Sequence, residues 1–160
     1  MNNPQPLGPS LNTLLDELTK HENPRNNSGG EVISCAKKKI LAVDDIQEVL
    51  NSLSRILGTD YDIRVARKVD SAILLMQNYH FDLFILDYGM PEISGIEFLS
   101  LIRNFPEYQK TPVMFLSANT EERIVKRAVA LGVKDYITKP INPEFLKIRI
   151  KDILTQAYGN

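Results

Sequence analysis

The chain has 160 residues, 43% of them hydrophobic, and its 19 basic and 20 acidic side chains leave a net charge of −1. That apolar share is enough for a buried core and excludes an intrinsically disordered chain. The near-neutral balance gives no bulk attraction to nucleic acid or to an anionic membrane, the single cysteine, Cys35, excludes an internal disulfide, and no apolar run approaches the ~20 residues of a membrane span.

Residues 1–37 read as an N-terminal extension or linker, with Pro4, Pro6, Pro9 and Pro24 followed by Asn26-Asn27-Ser28-Gly29-Gly30. The start has neither a basic nor an apolar leader, so a cytoplasmic protein is expected. Within the extension Leu11, Leu14, Leu15 and Leu18 recur at i, i+3, i+4 and i+7, with Ser10 as N-cap. This predicts a short amphipathic helix over about residues 10–20. Alone it would be marginal in water, so it is expected to dock on its own domain, a second copy or a partner.

From residue 38 to 158 strands and helices alternate. Ile40–Val43 reads as a buried strand, and Ile46 to Leu57 as a helix with Asp45 as its N-cap and Gly58 at its end. Ile63–Ala66 is the second strand, followed by a helix from a Ser71 cap through Met76. Leu83–Leu86 is the most apolar strand, ending at Asp87 before a turn through Gly89, Met90 and Pro91. A helix follows from about Gly95 to Ile102, then a strand from Val113 to Leu116 ending in Ser117. Thr120 opens a helix to Leu131, and Asp135–Thr138 is the fifth strand. Asn142 caps a last helix, with Pro143 in its first turn, that runs to about Ala157.

Five strands alternating with five helices predict an α/β fold with a five-stranded parallel sheet covered on both faces. Ligands of such sheets bind beyond the carboxyl ends of the strands. Asp44-Asp45, Asp87, Ser117 and Lys139-Pro140 all fall at those ends. Three carboxylates, a hydroxyl and an ammonium at one sheet edge suit a divalent cation and a phosphoryl group.

Four stretches carry a family resemblance: Leu41-Ala42-Val43-Asp44-Asp45; Asp82 through Asp87 with Met90-Pro91 and Ser94-Gly95; Thr111-Pro112-Val113 through Ser117-Ala118; and Asp135 through Lys139-Pro140. In this order they resemble the response-regulator receiver domain of two-component signalling, chemotaxis-regulator-like in type. The resemblance implies a flavodoxin-like (βα)5 fold with strand order 2-1-3-4-5, and makes Asp87 the phospho-acceptor. It implies that Asp45, Asp87 and the Gly89 backbone carbonyl touch Mg2+ directly, Mn2+ being a substitute, with Asp44 acting through water. It implies that Lys139 pairs with the phosphoryl oxygens behind a cis Lys-Pro bond, and that Ser117 and Tyr136 are the switch hydroxyl and switch aromatic. Ala118 keeps the pocket open, and Gly89 and Asn119 occupy positions that tune the phosphoryl lifetime.

The partners expected from the resemblance are a sensor histidine kinase or histidine phosphotransfer protein and a downstream protein, with no direct nucleic-acid contact and a homodimer as a further option. The chain is then expected to be a stand-alone receiver, an acceptor with self-catalysed dephosphorylation rather than a metabolic enzyme. The face holding Arg123, Lys126, Arg127, Lys134, Lys147, Arg149 and Lys151 is either a solvated surface or a partner surface. An aspartyl-phosphate phosphatase is the competing reading, but it would want an acid where Gly89 stands. A relay shuttle and an unphosphorylated docking module are the others.

Overall fold

The computed structural model describes residues 36–159; the helix expected over residues 10–20 lies outside them. Five strands, β1 (Lys39–Val43), β2 (Asp62–Ala66), β3 (Leu83–Leu86), β4 (Val113–Ser117) and β5 (Asp135–Thr138), form one sheet. They alternate with α1 (Gln47–Leu57), α2 (Val69–Asn78), α3 (Gly95–Arg103), α4 (Glu122–Ala130) and α5 (Pro143–Tyr158). The strand order is β2-β1-β3-β4-β5 and every pairing is parallel, as expected.

The central strands β3 and β4 are buried at every residue because helices cover both faces. The edge strands are only half-buried and accordingly carry polar residues: Asp62 and Arg64 on β2, Asp135 on β5. On one face Ile40, Ala42, Ile85, Met114 and Leu116 pack with Leu50, Leu53 and Leu57 of α1 and Leu146, Ile150 and Ile153 of α5. Each such side chain contributes roughly 1.5–3 kcal/mol by burial, so Leu53→Ala would cost about 2–5 kcal/mol. On the opposite face Phe84 meets Phe81 and Tyr108, and Phe115 lies between Tyr88 and Tyr136.

Local chemistry sets the helix ends. Ser94 and Glu97 form a reciprocal capping box at α3. The Asn142 side chain accepts from the Phe145 N–H at 3.0 Å, with Pro143 opening α5 as anticipated. Three expectations are corrected. Asp45 does not cap α1: the cap residue is Ile46, and the Asp44 carboxylate takes the Ile46 N–H at 2.9 Å. Helix α2 begins at Val69 rather than behind Ser71, because burying Val69 outweighs a side-chain cap at Ser71. Helix α4 begins at Glu122 rather than Thr120, because the Asn119 side chain accepts from the Glu121 N–H at 2.9 Å and holds Thr120 in a turn. Helix α4 buries only Ile124 and Ala128, which makes it the most lightly anchored helix of the sheet.

Candidate functional site

Parallel strands point one way, so the residues following β1, β3, β4 and β5 meet at a single edge. Register does the rest. Val43 pairs with both Ala66 and Leu86, which brings Asp44 and Asp87 side by side; the Asp87 N–H donates to the Val43 carbonyl at 2.9 Å. One oxygen from each of Asp44, Asp45 and Asp87 lies within 4.8 Å of the others. Ser117 ends β4 and Lys139 follows β5, and the Lys139 N–H donates to the Ser117 carbonyl at 2.9 Å.

Lys139 reaches across this edge. Its Nζ stands 2.6 Å from Asp44 Oδ2 and 3.6 Å from Asp87 Oδ1. Asp44, Asp87 and Ser117 are all buried, with 2%, 6% and 2% of their surface exposed. Such burial decides the electrostatics, since a buried carboxylate without compensation is costly. Burial pushes the Asp87 carboxyl above its ordinary range, and the adjacent Asp44 pushes it further; Lys139 and a Gly89 backbone hydrogen bond oppose the rise, while Asp45 adds to it. The ammonium contact is compensation of an incomplete kind. It meets Asp44 Oδ2 outside hydrogen-bond geometry, leaving that buried oxygen with an ion-pair neighbour but no hydrogen bond.

Three clustered hard carboxylates, with the buried Asp44 Oδ2 lacking a hydrogen-bond partner, fit a divalent cation of the Mg2+ class. Gly89 is exposed at the rim, and a Cβ there would meet nothing within 4 Å. The Lys139–Pro140 peptide bond is cis.

Ser117, Asn119 and Tyr136 form one connected group. The Ser117 Oγ accepts from the Asn119 N–H at 3.1 Å, and the Tyr136 hydroxyl donates to the Asn119 carbonyl at 2.7 Å. The Tyr136 ring is half-buried, edge-on to Phe115 at 6.2 Å. Of the charged face anticipated around α4 and α5, Arg149 is tied to Asp135 and Asp152, and Lys126 to Glu122.

Two residues at this edge make contacts that the sequence pattern did not assign: Gly95, named there only as a motif residue and a helix start, and Arg67. Gly95 opens α3 against the loop after β3: a Cβ there would stand 2.5 Å from the Asp87 carbonyl oxygen. Its signal was available, since glycine at the start of a helix often marks a close backbone approach. Arg67, directly after β2, donates from Nε and Nη2 to the Asp45 carbonyl at 3.2 and 3.1 Å. No local pattern announces that contact between residues 22 positions apart.

Comparison with known proteins agrees with this fold. A family model described as the response regulator receiver domain matches residues 40–151. The chain is 31% identical over 125 residues to a chemotaxis protein CheY homolog of Campylobacter jejuni, an alignment spanning 76% of this chain and 95% of that one. It is 34% identical over 111 residues to a Vibrio cholerae protein named "Probable cyclic di-GMP phosphodiesterase", spanning 69% of this chain but 25% of that protein. The crystal structure of the Vibrio cholerae chemotaxis protein CheY4 superposes with a TM-score of 0.70 at 30% identity, covering 74% of this chain and 99% of that one.

Proposed function

The chain belongs to the response-regulator receiver family of two-component signalling, and from that premise we propose that Asp87 is its phosphoryl acceptor. The donor is a phosphohistidine on a sensor histidine kinase or a histidine phosphotransfer protein. The observation that carries this reading is the convergence of Asp44, Asp45 and Asp87 within 4.8 Å, with the Lys139 ammonium among them.

An Asp87 carboxylate oxygen attacks phosphorus in line, and the P–N bond pair returns to the departing imidazole. Seating Asp87 at the end of a buried strand restricts its carboxylate and limits its contact with water. Lys139, already within reach of both carboxylates, takes the phosphoryl oxygens as they arrive. Asp44, Asp45, Asp87 and the Gly89 carbonyl are the groups that would hold Mg2+, or Mn2+ in its place. When bound, that ion supplies positive charge against the phosphoryl oxygens.

The acyl phosphate adds about −1.5 to −2 charge beside Ser117. The Ser117 hydroxyl turns to a phosphoryl oxygen and releases the Asn119 N–H, and Tyr136, hydrogen-bonded to the same Asn119, repositions with the loop. Both arrangements pre-exist and phosphate shifts their populations. Output then runs through protein contacts around α4, β5 and α5.

The test is intact-protein mass after incubation with Mg2+ and acetyl phosphate, for wild type and Asp87→Ala. One acid- and base-labile phosphoryl adduct, absent from Asp87→Ala and from EDTA-treated wild type, supports the reading. A wild type with neither an adduct nor beryllofluoride binding would sink it, and the protein would then be studied as a docking module.

A further inference from the structure

Of the three clustered carboxylates, Asp45 is the least constrained. Asp44 accepts from the Ile46 N–H and meets Lys139. Asp87 sits against Lys139 and a Gly89 backbone hydrogen bond. Among the described residues no hydrogen bond or ion pair holds the Asp45 carboxylate itself. Its place is set only through its backbone, and that backbone is gripped by the two-pronged Arg67 guanidinium on the Asp45 carbonyl.

Arg67 is well placed to act as an anchor. The ladder between β1 and β2 continues one residue past β1, with the Asp44 N–H donating to the carbonyl of Ala66, the last residue of β2, at 3.1 Å. Val69, two residues on, is buried at the start of α2. The Arg67 backbone is thus fixed on both sides, although its side chain is exposed along a groove of about 490 Å3 that also includes Asp45 and Met90. The planar fork matches one carbonyl with two donors, which a lysine cannot do.

We propose that Arg67 is a positioning residue for the divalent-cation site: by clamping the Asp45 carbonyl it fixes the β1–α1 turn so that the Asp45 carboxylate faces Asp44 and Asp87. This rests on the receiver reading of the acidic cluster. The opposing effect is charge. A cation near the site repels a metal ion, but an exposed guanidinium is screened by water and salt, so pre-organisation of the ligand outweighs it.

The experiment is calorimetric titration of the full chain, stripped with EDTA and then dialysed, with Mn2+ alone. Wild type, Arg67→Ala, Arg67→Lys and Asp45→Asn are compared, with urea midpoints of each metal-free protein alongside. Arg67→Ala and Arg67→Lys should each weaken Mn2+ binding about three- to tenfold, the scale of the net contribution of about one hydrogen bond. Lysine should fail to rescue because it keeps the charge and loses the fork. A merely structural arginine would move the urea midpoint and leave the Mn2+ constant in place, overturning the proposal. So would tighter binding in Arg67→Ala with no change in Arg67→Lys, which would reduce Arg67 to a through-space charge. A wild type that takes up no Mn2+, or an Asp45→Asn variant that binds as wild type does, overturns the metal-site reading itself and the clamp with it.

Discussion

The Tyr136 hydroxyl donates to the Asn119 carbonyl at 2.7 Å, bridging β5 to the loop after β4. Because the Asn119 N–H is spent on Ser117 Oγ, one residue links the Ser117 hydroxyl to the aromatic ring on the sheet edge. Tyr136→Phe removes one end of that link and leaves the ring against Phe115. It should cost about 1 kcal/mol in metal-free stability, read by urea denaturation. It should also loosen the coupling, so that amide shifts on phosphorylation fade in β5 while those near Ser117 persist. Identical shift patterns in both proteins would remove Tyr136 from the switch.

The Asp87 carboxylate weakens the metal-free fold. Burial and Asp44 both disfavour its charged form, and Lys139 stands farther from it than from Asp44. In EDTA, Asp87→Asn should therefore raise stability by about 1 kcal/mol, a rise of several degrees in Tm for a domain of this size. Thermal unfolding followed by circular dichroism checks it. A variant less stable than wild type would mean that the Lys139 contact already outweighs burial and like-charge repulsion.

The fold was legible because the strands are near-continuous apolar runs and the polar residues fall at their ends. Leu83–Leu86 before Asp87 leaves no other assignment for a chain that alternates strand and helix. What local pattern misjudged were the junctions where tertiary contacts compete with capping. Asp44 and Asp45 are equal candidates by residue type, but only Asp44 is buried and turned back toward the Ile46 N–H. Ser71 yielded to the burial of Val69. The short 3₁₀ turn over Pro106–Tyr108 was missed because it depends on Arg103, whose Nη1 donates to the Tyr108 and Thr111 carbonyls at 2.7 Å each. The candidate site residues were legible by type and position, whereas Arg67 was not, since its partner is chosen by strand register.

Gly95 ties the Asp87 loop to α3. Its N–H donates to the Tyr88 carbonyl at 3.0 Å, and its Cα faces the Asp87 carbonyl so closely that a Cβ would stand 2.5 Å away, with Tyr88 Cα at 3.1 Å. Both obstacles are backbone and cannot rotate aside. Gly95→Ala must push α3 and the Asp87 loop apart. It should cost about 1–3 kcal/mol and slow Asp87 phosphorylation by acetyl phosphate more than Gly89→Ala does, since a Cβ at Gly89 meets open space. Equal phosphorylation rates for the two variants would show that the loop absorbs the methyl without moving Asp87.

Tyr108 offers a pH test at the opposite end of the sheet. Its ring is buried edge-on to Phe84 at 5.1 Å, and its hydroxyl donates to the Tyr79 carbonyl at 3.2 Å. Burial pushes its hydroxyl up to about 12; a backbone hydrogen bond from Phe81 opposes that rise, and Glu107 and Asp82 add to it. The folded state thus holds this proton more tightly than the unfolded chain, where tyrosine titrates near 10. The resulting stability is complete below about pH 10 and is lost as pH rises toward about 12. Tyr108→Phe lacks the proton altogether. Near neutral pH it should be less stable than wild type by about 1 kcal/mol, the value of the lost hydrogen bond. The gap should then narrow as wild type weakens above about pH 10, while Tyr61 and Tyr158, whose hydroxyls burial also pushes up, act equally in both proteins. Urea midpoints of the pair near neutrality and at about pH 11 decide it. A gap that stays constant would mean the Tyr108 hydroxyl titrates in the folded protein as it does in the unfolded chain, and one that widens would mean it titrates lower when folded.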